Sequence, residues 1–287
     1  GALPYLLKQV KVPVYATPFT AVLVEQMLKR EKIKDYEIHR IKRFGSFKVG
    51  NNTVRTFGMT HSIPDAIGVA IESSHGYIVH PSEFVIDFDM KIPSFSCDIT
   101  EFAEIGKKGV FLMTAESVGS DRKGFTSPRH RITEEIEPIF ESTDDRIFVT
   151  MYEQNIYRLI EVVELANKFK RKVYFYNKKQ REIMRQLEEL RYYNMPAGLE
   201  ISDNQFSNEM ENIVIVVSDT GPSTFRKMNR ITMGEDERIE LRVSDQVIVA
   251  SPVVPGTEKD AGMMENELYK ENVTVKTETS ALDACFP

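Results

Sequence analysis

The sequence predicts an α/β fold with an α+β half, and three observations carry that expectation. From about Asp144 onward the runs RIFVTM, KVYFY, NIVIVV and QVIVA are short, β-branched and aromatic. They lack alternation, as strands buried on both faces do. Between them lie NIYRLIEVVELANKF, KKQREIMRQLEELRYY, STFRKMNRI and KDAGMMENELYK, all with helical spacing, so a parallel, doubly wound sheet with right-handed crossovers is expected. Upstream, SFKVGNNTVRTFGM and AIGVAIESSHGYIVH read as hairpins turning at Gly50–Asn51–Asn52 and at Ser73–Ser74–His75–Gly76. The change of pattern puts a domain boundary at 143/144, giving domains 1–143 and 144–287.

In chain order, Leu3 to Lys8 reads as a helix and Val12 to Thr17 as a short buried strand. Thr17–Pro18 opens the helix PFTAVLVEQMLKR, with proline at its first position. GVFLMTAE is a strand ending at Glu116, followed by the loop SVGSDRKGFTSP and the charged helix RITEEIEPIF. At 287 residues, 41% apolar and 28% charged, the chain has room for two domains with separate cores. No apolar run approaches the ~20 residues of a membrane-spanning helix, and no secretory signal pattern is present. Cys97 and Cys285 are far apart and outside any CxxC spacing, which argues for a reducing compartment and against a cysteine-ligated zinc. A net charge of −6 means that any nucleic-acid surface is local. The chain opens on Gly1 in place of Met, which reads as a fragment of a longer protein.

Two stretches carry candidate chemistry. His61 leaves the run VRTFGMT where that strand should end, and Glu83 leaves GYIVHPSE in the same way. A His and a carboxylate at neighbouring strand ends converge on one sheet edge, where metal sites are often built. The plainer reading of such a His is structural. The stretch KFKRKVYFYNKKQR, Lys168 to Arg181, holds seven Lys or Arg and no acid, with Phe169, Tyr174, Phe175 and Tyr176 interleaved. It could neutralise several phosphates; alternatively KVYFY is core and the basic residues are solvated caps.

The motifs HSIPDAIGVAIESSHGYIVH, GFTSPR, NIYR and DQVIVASPVVPGTEK, in that order, resemble the ribonuclease J group. These are β-CASP enzymes of the metallo-β-lactamase superfamily. The resemblance implies a partial metallo-β-lactamase αββα domain followed by a β-CASP domain, with RNA entering between the two. It places a zinc-ligating His on His61, within the family's His-Ser-[Ile/Val]-Pro-Asp motif. The family's metal-bridging Thr-Gly-Asp-Phe falls on Pro81–Ser82–Glu83–Phe84. Glu83 is one methylene longer, and Ser82 replaces a glycine that the tight turn prefers, so one or two zinc ions are expected and the second is the weaker expectation. Glu116 of Glu116–Ser117–Val118–Gly119 stands where the family has an Asp, and GFTSPR keeps the loop that follows. In the β-CASP half, Asn155 would cap a helix whose N-terminus is open to a phosphate, with Arg158 one turn on to pair with it. Ser251, in DQVIVASPVVPGTEK, joins them as an RNA or phosphate contact.

The clearest departure is Ser218–Asp219–Thr220–Gly221–Pro222–Ser223, where the family has Thr-Gly-Ser-Gln-Gly-Glu-Pro; Asp219 adds negative charge where a phosphate would approach. The family's His-x-His-x-Asp-His cluster, which precedes a helix like GALPYLLK, and its later His-x-Ser-Gly-His do not fall within residues 1–287. No catalytic residue is therefore assigned within the chain. The resemblance implies a zinc-dependent ribonuclease acting on single-stranded RNA, cytoplasmic, with no membrane association, and self-paired or paired with a paralogue. The alternative is a catalytically degraded β-CASP paralogue kept for binding RNA or a partner.

Overall fold

The computed structural model describes residues 2–117, 120, 123–128 and 130–277. Gly1, Val118, Gly119, Arg129 and Cys285, which figure in the readings above, lie outside the described residues. Two compact units, Gly1–Ser117 and Val118–Pro287, make up the chain. The boundary at 143/144 expected from the change of pattern falls inside the second, after its first helix.

The first unit begins with α1 (Leu3–Gln9), β1 (Val14–Ala16), α2 (Pro18–Arg30) and β2 (Ile38–Arg40). Strands β1 and β2 pair in parallel, and α2 buries Phe19, Ala21, Val24 and Leu28. A five-stranded sheet follows, in the order β3 (Gly45–Val49), β4 (Asn52–Gly58), β5 (Ile67–Ser73), β6 (Gly76–His80) and β7 (Val110–Met113). The expected hairpins form β3–β4 and β5–β6. The pairs are antiparallel up to β6, and β7, reached through α3 (Ile99–Lys108), runs parallel to it. Phe57, Met59, Ala70, Tyr77, Val79, Cys97 and Ile105 form the core under this sheet. Strand β7 stops at Met113, short of the expected Glu116, and all four of its residues are exposed. Glu116 is half-buried in the irregular segment beyond it.

Cys97 tests the packing of this core. Burial, with the nearby Asp98 carboxylate, pushes its thiol from 9.0 up to about 11. At pH 8 that leaves about 100-fold less thiolate than an ordinary cysteine carries. Alkylation of Cys97 in the folded protein, followed by mass spectrometry, should therefore be slower than in urea by about that factor or more. Equal rates in the two states would show that the core is open.

The second unit is the parallel α/β domain that the sequence predicts. After α4 (Thr133–Ser142) come β8 (Ile147–Tyr152), α5 (Ile156–Lys168), β9 (Lys172–Phe175), α6 (Lys178–Glu189), β10 (Ile213–Asp219), α7 (Pro222–Thr232), β11 (Gln246–Val249), α8 (Glu258–Lys270) and β12 (Thr274–Thr277). Every strand pair is parallel, in the order β12-β11-β8-β10-β9. Alternate residues divide between the faces as a pleated sheet requires. Phe148, Ile215, Val217, Val247 and Val249 join Phe225, Met228, Met264 and Leu268 of α7 and α8 in one cluster. On the opposite face α5 and α6 pack on β9, and Ser218 Oγ donates to Gln180 Oε1 of α6 at 2.8 Å. At the foot of the sheet Arg146, 1% exposed, forms a two-pronged pair with Asp245, 0% exposed. Its Nε donates to Oδ1 at 2.7 Å and Nη2 to Oδ2 at 2.5 Å, with further bonds to the Asn208 and Glu240 carbonyls at 3.2 and 2.7 Å.

Candidate functional site

In the first unit, β4 and β6 flank β5 and run in the same direction, so their C-terminal ends share one sheet edge. Beyond them an isolated antiparallel bridge joins Thr60 to Val85, with Val85 N–H donating to Thr60 O at 3.0 Å. Thr60 Oγ1 also donates to Asp87 O at 2.7 Å. This short stitch brings the neighbouring His61 and Glu83 together, with Nε2 and Oε2 3.7 Å apart. The His61 ring is mostly covered, at 19% side-chain exposure, whereas Glu83 is half exposed at 49%. The interaction with His61 holds the Glu83 carboxyl below the usual range, against partial burial acting the other way. The loop after His61 is clamped from behind. Arg43, 8% exposed, donates through Nη1 to Pro93 O at 2.6 Å and through Nη2 to Ser96 O, and its Nε lies 4.0 Å from Asp65. Gly58 makes room for it, since a Cβ there would stand 2.6 Å from Arg43 Nε.

Zinc fits part of this arrangement. Two tetrahedral ligands at ~2.0–2.2 Å lie about 3.3–3.6 Å apart, close to the His61–Glu83 spacing. Nδ1 accepts from Ile63 N–H at 3.4 Å, with Ser62 Oγ 3.2 Å away; a metal on Nε2 would put the ring proton on Nδ1, give up the Ile63 bond and make Ser62 Oγ the acceptor. Among the described residues, however, no three His, Cys, Asp or Glu gather closely enough to hold a metal ion. Two donors do not complete a site. Glu116 is not assembled into such a group. His80 is fixed by Thr114 through Nδ1, with contacts of 2.8 Å to the carbonyl oxygen and 3.0 Å to Oγ1.

Ser82 adopts φ +64°, the left-handed conformation for which glycine is suited, as the resemblance implies for this turn. Its hydroxyl donates to Ile67 O at 3.1 Å. Ser82→Ala keeps the backbone strain and loses that bond, a cost of about 1 kcal/mol. Ser82→Gly loses the bond but relieves about 1–2 kcal/mol of strain. Urea midpoints should rank Gly above Ala; the reverse order would show that residue 82 is not held left-handed.

In the second unit the chain leaves β8 toward β9 and leaves the adjacent β11 toward β12, on opposite sides. The C-terminal ends of β8 and β11 thus form the topological switch point, where open α/β sheets bind ligands. Asn155 and Ser251, 9% and 4% exposed, lie on the two loops that leave this point, and Arg158 is 3% exposed on α5. Asn155 caps α5 as expected, its Oδ1 accepting from Arg158 N–H at 3.2 Å. Ser251 Oγ is 3.4 Å from Thr150 Oγ1, and Tyr152 OH donates to Pro252 O at 2.5 Å. Arg158, which the resemblance implies as a phosphate partner, is buried, with Nη1 donating to Ala250 O. Asp219 pairs with Lys227 at 2.7 Å and accepts from Thr220 N–H at 2.7 Å. Burial raises its pKa, but the Lys227 pair and the Thr220 bond outweigh that and hold it low. Its charge is therefore met locally. In the basic stretch Val173, Tyr174, Phe175 and Tyr176 are core. Lys168 pairs with Glu137, Arg171 is buried on the Phe140, Thr143 and Asp145 carbonyls, and Arg181 pairs with Glu200 and Asp203.

Residues 144–268, the body of this second unit, match the family model for the ribonuclease J β-CASP domain. Ribonuclease J of Helicobacter pylori (strain 26695) is 26% identical over 278 residues, covering 96% of this chain and 40% of that protein. Ribonuclease J 2 of Staphylococcus epidermidis (strain RP62A) is 30% identical over 219 residues, covering 76% of this chain and 39% of that protein. This is a ribonuclease J-like β-CASP chain. It spans about two fifths of the length of these curated relatives. The fold is also that of a crystal structure of a protein of unknown function from Enterococcus faecalis V583, with TM-score 0.63 and 13% identity over 93% of this chain and 63% of that one. Within the β-CASP chain, sequence reading missed the Arg43 clamp, the Thr60–Val85 stitch and the buried acid Glu161. Glu161 alone left a signal, as an acid three residues after Arg158 in a helix otherwise apolar on that side.

Proposed function

We propose that the chain is part of a zinc-dependent ribonuclease resembling ribonuclease J that hydrolyses phosphodiester bonds of single-stranded RNA in the cytoplasm. The observation that carries this reading is the His61–Glu83 pair, held at ligand spacing on one sheet edge by the Thr60–Val85 bridge. His61 and Glu83 would contribute two of the donors to zinc. When bound, zinc supplies a hydroxide nucleophile at neutral pH. The chain's own residues fix those donors: Arg43 and the Thr60–Val85 bridge set the His61 loop, and the ionised Glu83 is available to a cation. Asn155 and Ser251 at the switch point are the proposed RNA contacts of the β-CASP half. No helix among the described residues is long and apolar enough to cross a membrane.

A second reading keeps the RNA contact and drops the chemistry, leaving a paralogue that binds RNA or pairs with an active relative. The turn at Ser218–Ser223 favours it, because it departs from the family's Thr-Gly-Ser-Gln-Gly-Glu-Pro and its Asp219 occupies the nearby Lys227 cation in an ion pair. Metal analysis of the full-length protein, together with degradation of a labelled single-stranded RNA, separates the two. Bound zinc with product formation supports the nuclease. A zinc-free protein that retains RNA and leaves it intact supports the second reading.

A further inference from the structure

Two opposite charges lie buried in the first turns of α5. Arg158 is 3% exposed and Glu161 7%, three residues apart and so neighbours on the helix surface. Glu161 accepts from Ile132 N–H at 3.3 Å, Thr133 N–H at 3.2 Å and Thr133 Oγ1 at 2.7 Å, which anchors the entry to α4. Burial raises the Glu161 pKa, and the Thr133 and Ile132 bonds and, least of them, the Arg158 charge oppose that rise. On the other side Arg158 Nη1 donates to Ala250 O, and Ala250 N–H donates to Thr150 O at 3.0 Å. Both backbone polar groups of Ala250 are thereby committed at the point where β11 gives way to its loop. The loop is tied again at its far end, where Thr257 Oγ1 accepts from Val254 N–H at 2.9 Å and donates to Val254 O at 2.7 Å.

A phosphate that recruited Arg158 would have to draw it away from Ala250 and leave the buried Glu161 with only its Ile132 and Thr133 bonds and no opposite charge beside it. Uncovering a buried charge in this way is strongly unfavourable. We propose that Arg158 is a positioning residue: with Glu161 it forms a strut from the start of α4 to the switch point, fixing the Ala250–Thr257 loop without itself contacting phosphate. Its RNA arm rests on the functional reading above; its structural arm does not.

The test compares Arg158→Gln, Arg158→Lys, Glu161→Gln and the Arg158→Gln/Glu161→Gln double variant in the full-length protein. Amide exchange across residues 251–257 should speed up at least tenfold in Arg158→Gln and in Glu161→Gln. The double variant should be no faster than the faster single, because both break one strut. Binding of a single-stranded oligonucleotide should weaken while the slope of log K against log salt stays at the parent value. A lost phosphate contact would instead lower that slope by about 0.7, and Arg158→Lys would restore it. That slope change, or additive exchange effects, would overturn the strut. If Arg158→Gln fails to fold by circular dichroism, Arg158→Lys and Glu161→Gln carry the exchange test: accelerated exchange in both supports the strut and parent-like exchange overturns it. A parent protein that binds no RNA would remove the functional reading, while the exchange arm would still decide the strut.

Discussion

His61→Ala in the full-length protein is expected to abolish RNA degradation and to weaken zinc binding by more than 100-fold, with the fold intact. The magnitude follows from comparison: losing a partner that merely supports a ligand costs about 10–100-fold, and losing a ligand outright costs more. The fold should survive because His61 lies beyond the end of β4, outside the core of Phe57, Met59 and Tyr77. Glu83→Gln removes the charge and keeps the shape, and should fall between the parent and His61→Ala. The checks are zinc content by mass spectrometry and hydrolysis of a single-stranded substrate. Unchanged zinc content in His61→Ala would remove His61 from the metal site. RNA binding that persists in a variant unable to cleave is consistent with either reading, so the cleavage of the parent protein is the measurement that matters.

Arg146→Met should destabilise the second unit by about 3–5 kcal/mol, the range for breaking a buried pair from one side. Both partners are sealed from water, so removal of the guanidinium leaves the Asp245 carboxylate without its two-pronged partner. It also takes the Arg146 donor from the Glu240 carbonyl and one of two donors from the Asn208 carbonyl, which Arg242 still serves. Asp245→Asn keeps the volume and one acceptor and should cost less. Replacing both residues with apolar ones of matching size should recover much of the loss, since the desolvation of the pair then disappears as well. Urea unfolding of the single and double variants reads this directly, and a double variant as unstable as the sum of the singles would deny the coupling.

The fold was legible wherever one physical signal dominated. Uninterrupted β-branched runs between helical repeats gave the parallel sheet, because strands covered on both faces have no polar side to alternate with. Turn residues at Gly50–Asn51 and Ser74–His75 gave the hairpins. Strand β7 was overextended because Thr114–Glu116 continue an extended-looking run, and only pairing with β6 decides where it stops. At the candidate site, His61 and Glu83 could be found as strand-end residues, but the Thr60–Val85 bridge that brings them together joins segments 25 positions apart and leaves no local trace. The same holds for Arg158. Its place in an Asn-Ile-x-Arg pattern says that it follows a cap, while its burial depends on Ala250, 92 residues further on.

The position of β8 has a temporal consequence. This strand is the first of its sheet to be synthesised, yet its two neighbours are β10 and β11, and the bond at its foot joins residues 99 apart. At about 5–20 residues per second on the ribosome, β8 emerges roughly 5–20 s before the partner that closes its second edge. During that interval a strand with all six residues destined for burial must be kept from pairing elsewhere. The domain is therefore one whose refolding after dilution from denaturant should be slow and concentration-sensitive, with association rather than local unfolding as its main competitor.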